Sequence, residues 1–81
     1  MKKNVKKDRG MRLLRMYIRL NKGEILNKNS MAEEYGVSTK TIQRDILYLR
    51  KFLSEEDDKK TLIFNKHCDG YMLTELITQL R

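Results

Sequence analysis

The stretch SMAEEYGVSTKTIQRDILYLRKFL, from Ser30 to Leu53, constrains the fold more than any other part of this chain. It reads as two helices joined by a tight turn. Ser30 and Glu33 have the spacing of a capping box. In that motif the serine accepts from the backbone N–H at the third helical position and the glutamate reaches back. A short helix is therefore predicted from Met31 to Tyr35. Gly36 falls where the chain must reverse, at a positive φ that costs a glycine little. Val37 plugs the gap between the two helices, and Ala32 is small enough to let them approach. Ser38 caps the next helix.

In that second helix Ile42, Ile46, Leu49 and Leu53 recur at helical spacing and form one buried stripe. At about 100° per residue, Lys40, Gln43, Arg44, Leu47 and Lys51 fall on the opposite side. Thr39 and Thr41 lie in the first turn, where free N–H groups and the helix dipole favour a phosphate. A helix with a polar, basic start and an apolar anchor is suited to entering a DNA groove. The plain alternative is a capped helix pair with a solvated basic face. The joint pattern favours nucleic acid: an alanine, a glycine four residues on, a serine cap, then TIQRD.

Charge distribution points the same way. The 81 residues carry a formal net charge of +7. Residues 1–53 hold 14 Lys/Arg against 5 Asp/Glu, a balance of +9, whereas residues 54–81 hold 4 against 6, a balance of −2. The positive charge thus sits with the helix pair, which suits a polyanion. No long apolar run or amphipathic basic anchor suggests a membrane. The single cysteine, Cys68, has no internal disulfide partner, and MKKNVKKDRG lacks the apolar stretch of a secretory signal. The chain accordingly reads as cytoplasmic. An apolar content of 40% supports one small core but no enclosed active site.

Around the helix pair, residues 1–7 read as a basic N-terminal arm. A first helix is predicted from Asp8 to Asn21, stopping near Lys22 and Gly23. Met11, Leu14 and Ile18 form one apolar stripe on it, Leu13, Met16 and Leu20 a second, and Arg12, Arg15 and Arg19 share the remaining side. Two stripes exceed what a three-helix core needs. The surplus suits the C-terminal segment, a second copy of the protein, or a further domain. Glu24 to Leu26 is either a short strand or a plain loop. SEEDD, Ser54 to Asp58, reads as an acidic loop. Thr61–Phe64 and Tyr71–Thr74 are strands, joined through Asn65–Gly70 into a hairpin. After such a helix pair a hairpin is a wing, with Lys66 and His67 the groups best placed to reach phosphate. One cysteine and one histidine make no metal site, and no cofactor is expected. Leu73, Leu76, Ile77 and Leu80 fall at helical spacing with Thr74 as a cap, so residues 76–81 read as a tail or linker helix. Both a front module of a longer protein and a free-standing small protein fit this ending.

The order of elements predicts a mainly α fold with a small β-hairpin, a winged helix-turn-helix over residues 8–75. The residues AEEYGVSTKTIQRDILYLR, followed by a strand and then DGYML, resemble the N-terminal winged helix-turn-helix of bacterial regulators of the WYL-domain and DeoR types. The resemblance runs from about Arg9 to Glu75. It is strongest in Gly36–Asp45 and Gly70–Leu73, motifs specific for the module but not for one regulator. It implies that Ser38, Thr39, Lys40, Thr41, Gln43 and Arg44 contact double-stranded DNA. It also implies homodimers on paired half-sites. WYL regulators carry a C-terminal effector-sensing domain, for which this chain has no counterpart.

The expectation is therefore a sequence-specific DNA-binding domain of a transcriptional regulator. The helix from Ser38 to about Leu53 would lie in the major groove and the wing, residues 61–74, on the backbone. A winged helix that binds a protein instead is the alternative. An enzyme is not expected, because no acid/base pair, activated nucleophile, phosphate loop or metal cluster is legible. Asp45 reads as an ion-pair or capping partner.

Overall fold

Local capping signals set the helix boundaries in the computed structural model, which describes residues 8–56 and 59–75. The elements are α1 (Arg9–Asn21), α2 (Lys28–Tyr35), α3 (Thr39–Glu56), β1 (Lys60–Asn65) and β2 (Gly70–Glu75). Three helices and a hairpin make the mainly α, winged-helix-like arrangement that the sequence predicts. Asp8 caps α1 by accepting from the Met11 N–H at 3.2 Å. The helix ends at Lys22, and Gly23 follows with φ 91°.

α2 begins earlier than predicted. Its cap is Asn27, whose Oδ1 accepts from the Ser30 N–H at 2.9 Å, so the Ser30–Glu33 capping box does not form. Asparagine caps as well as serine does, and the earlier start carries the helix to eight residues. Gly36 ends it in the left-handed region, φ 68°. The Val37 N–H donates to Ala32 O at 3.0 Å and the Gly36 N–H to Glu33 O at 3.4 Å, the Schellman closure.

α3 opens on Ser38, whose Oγ accepts from the Thr41 N–H at 3.0 Å. Its far end corrects the sequence reading. Ser54, Glu55 and Glu56 complete the last helical turn instead of starting an acidic loop. The buried Leu53 holds that turn on the core, and the Ser54 hydroxyl donates to Lys51 O at 2.8 Å. Asp57 and Asp58 lie outside the described residues.

β1 and β2 pair antiparallel, with Leu62 opposite Leu73 and Phe64 opposite Tyr71. The connector adds one bridge to this sheet. Leu26 and Tyr71 exchange two backbone hydrogen bonds of 2.8 Å each, which lies between the strand and loop alternatives. Leu73 and Thr74 belong to β2, so no helix starts at Thr74. Pairing with Leu62 and Thr61 satisfies their backbone groups as strand. Leu76, Ile77 and Leu80 lie outside the described residues, as does the arm of residues 1–7.

The core forms where α1, α2, α3 and β1 meet. Met16 and Leu20 come from α1, Met31 and Tyr35 from α2, Leu62 from β1, and Ile42, Ile46, Leu49 and Leu53 from α3, as the stripe predicts. Ala32 and Val37 pack in the turn region. The stripe of Met11, Leu14 and Ile18 is exposed. Among the described residues no helix is long and apolar enough to cross a membrane.

Candidate nucleic-acid interface

The exposed face of α3 is built from its cap outward. Ser38 and Thr41 engage each other twice, through the backbone bond and through their hydroxyl oxygens, 3.0 Å apart. This ties down the first turn and leaves the N–H groups of Thr39 and Lys40 without acceptors in the helix. Thr39, Lys40, Gln43, Arg44, Leu47 and Lys51 are all exposed, and Thr41 is half-buried. Among the described residues Lys40, Arg44 and Lys51 take part in no ion pair. Three cations outside any ion pair among the described residues thus line one side of α3, with the side-chain amide of Gln43 beside them.

That face is oriented by a buried ion pair. Asp45, next to Arg44 and 1% exposed, points into the protein. Arg12 of α1 donates from Nε to Asp45 Oδ2 and from Nη2 to Oδ1 at 3.3 Å. Arg9 adds a weaker contact, Nε to Oδ1 at 3.6 Å, and its guanidinium lies over the Tyr48 ring, 4.5 Å from the centroid. The ion-pair role expected of Asp45 is thus observed. Arg12, Arg15 and Arg19, which share one side of α1 by spacing, differ in burial. Arg12 is buried against Asp45, Arg19 is half-buried, and Arg15 is exposed. Arg19 donates from Nε to Glu24 at 2.8 Å and from Nη1 to Glu34 at 3.1 Å and Tyr35 Oη at 3.2 Å. Partial burial disfavours its charge. The bonds to Glu24 and Tyr35 and the field of Glu34 outweigh that and hold its pKa above the ordinary guanidinium value.

The wing presents Lys66 and His67 at an exposed four-residue turn. Asn65 Oδ1 shapes the tip by accepting from the His67 N–H at 2.9 Å and the Cys68 N–H at 3.1 Å. Asn27 then fastens the wing to α2. While its oxygen caps the helix, its Nδ2 donates to Asp69 O at 2.6 Å and Asp69 Oδ2 at 3.1 Å. Among the described residues no hydrogen bond or ion pair joins Lys66 or His67 to the α3 face. The predicted contact residues therefore form two separate groups on one scaffold.

Arg12 and Asn27 are the positioning residues that sequence reasoning missed. Arg12 left a signal, since it continues the buried row of Met16 and Leu20 at four-residue spacing. The bond from Asn27 to a loop 42 positions away left none.

A second feature lies on the flank of α3. Leu13, Leu14 and Tyr17 of α1 and Tyr48, Leu49 and Phe52 of α3 line an open apolar groove of about 230 Å³. Tyr17 and Phe52 meet there edge to face, with centroids 6.2 Å apart. Among the described residues no group of three or more His, Cys, Asp or Glu is arranged to hold a metal ion. No protein-family model, curated protein or solved structure matches this chain.

Proposed function

We propose that this chain is a sequence-specific DNA-binding domain of a transcriptional regulator, with α3 entering the major groove and the wing lying on the phosphate backbone. The observation that carries this reading is the exposed α3 face, where Lys40, Arg44 and Lys51 stand unpaired opposite a fully buried apolar stripe. Major-groove edges offer the matching chemistry. Arginine and lysine pair with guanine O6 and N7, and glutamine pairs with adenine. Lys40, Gln43 and Arg44 are assigned to bases. Ser38, Thr39 and Thr41 are assigned to phosphate and register, with Lys66 and His67 on the backbone from the wing. The resemblance to WYL-domain and DeoR-type regulators supports the same assignment and adds a homodimer.

Fluorescence anisotropy of the chain on random duplex DNA, at about 50 and 200 mM salt, tests the proposal. Binding by six or more phosphate contacts weakens by at least about 10³ between those conditions through counterion release. Absence of binding at the lower salt overturns it.

The apolar groove beside α3 favours a second reading, a protein-interaction module. Apolar surface drives such contacts, and their affinity depends only weakly on salt. The same titration separates the two.

A further inference from the structure

We propose that Leu47 is a specificity determinant that seats the C5-methyl group of a thymine in the major groove, an assignment that rests on the DNA-binding function above. Leu47 is 60% exposed, more than any other large apolar side chain among the described residues. Its surroundings are cationic. At about 100° per residue, Lys40, Gln43, Arg44, Leu47 and Lys51 fall within an arc of about 100°, with Leu47 near its middle. Ile42, Ile46, Leu49 and Leu53 occupy the other side and are buried.

An apolar partner protein does not account for this position. The groove beside α3 is lined by Tyr48, Leu49 and Phe52, which leaves Leu47 outside it. A protein surface docking on Leu47 would also meet Lys40, Arg44 and Lys51, none of which takes part in an ion pair among the described residues. A duplex supplies both requirements at once. Its phosphates neutralise the lysines and arginine, and its major groove holds one apolar group, the thymine methyl.

Spacing adds a further argument. Lys40, Gln43, Arg44 and Leu47 form the i, i+3, i+4, i+7 set of one helix face. They span about 10.5 Å along the axis, a length that fits a major groove about 12 Å wide. Three polar members read hydrogen-bonding edges. The apolar member at the end of the row reads the one base feature that makes no hydrogen bond.

The test uses the full chain and a duplex enriched by it from a randomised library. Each thymine of that duplex is replaced in turn by deoxyuridine, which removes only the C5-methyl. One position should weaken binding about three- to fivefold, the worth of one buried methyl group. Leu47→Ala should show the same loss on the unmodified duplex and no further loss with uracil at that position, whereas Leu47→Met should retain sensitivity. The uracil series on the unsubstituted chain stands even if a variant folds poorly. If no thymine responds, or Leu47→Ala responds like the parent, the assignment to Leu47 is wrong while DNA binding stands. If no sequence is enriched, sequence-specific binding fails and the assignment falls with it, while anisotropy on random duplex still reports whether DNA is bound at all.

Discussion

Arg12 and Asp45 are 33 residues apart in sequence and form a two-pronged ion pair between α1 and α3, both almost wholly buried. The pair links α1 to the helix that carries the candidate DNA-facing residues. Because Asp45 turns inward to meet Arg12, its neighbour Arg44 turns outward, together with Gln43 beside it and Lys40 and Leu47 one turn either side. A buried interaction thereby fixes the rotation of α3 about its own axis.

Removing either partner should be severe. Asp45→Ala takes the buried carboxylate from Arg12, and Arg12→Ala leaves Asp45 with the weaker Arg9 contact, so each should cost about 3–5 kcal/mol. That is a large share of the stability of a domain this small. Replacing both, as in Arg12→Met with Asp45→Leu, should cost much less, because a buried ion pair is close to neutral against apolar side chains of similar volume. Urea unfolding of Arg12→Met, Asp45→Leu and the double variant closes the cycle and gives the coupling energy directly. Additive losses would show that the two charges do not interact in solution.

The cap of α3 gives a prediction with an internal control. Ser38→Ala removes the acceptor for the Thr41 N–H and should destabilise by about 1 kcal/mol, whereas Ser38→Gly should cost only a few tenths. In a domain of this length about 1 kcal/mol corresponds to a Tm lower by about 4–8 °C. Thermal unfolding followed by circular dichroism separates the variants. Equal melting of Ser38→Ala and the parent would mean that the serine does not cap.

Features set by neighbours in sequence were legible, and features set by distant partners were not. The αL glycine at Gly36, the Ser38 cap and the Ile42–Leu53 stripe follow rules that act over one or two helical turns, and each stands as predicted. The α2 start was misread because Asn27 and Ser30 are both good caps, and sequence preference does not rank them. The end of α3 was misread because an acidic composition suits both a loop and a last helical turn. Arg12 was grouped with Arg15 and Arg19 on one side of α1, and nothing near it in sequence shows that Asp45 lies across from it. The exposed side of α3 was legible for the same local reason as its buried side, since one helical period sets both.

Gly70 shows a distant constraint that substitution can measure. A Cβ at this position would lie 2.6 Å from the Ile25 side chain and 3.1 Å from Leu26 O. The close approach lets Leu26 bridge to Tyr71 and join the connector to the wing. Gly70→Ala should therefore cost about 1–3 kcal/mol, as overpacking of an ordered site does. Ile25→Ala should relieve part of this in the double variant, because the shorter side chain removes the nearest clash. Denaturant midpoints of the two single variants and the double variant decide it. A Gly70→Ala protein as stable as the parent would mean that the connector does not sit against the wing.

Arg44 and Lys66 should fail in different ways if α3 reads bases and the wing holds backbone. Arg44→Ala should cost about 1–3 kcal/mol on a selected site and relax preference at one base pair. Lys66→Ala should weaken selected and random duplexes alike and lower the salt slope by about one. Neither side chain takes part in an ion pair among the described residues, and both are exposed, so the fold should survive each change. Anisotropy titrations of both variants, on a selected and a random duplex at several salt concentrations, provide the comparison. An equal loss on both duplexes for Arg44→Ala would move this arginine from base to phosphate. An unchanged salt slope for Lys66→Ala would take the wing tip off the DNA.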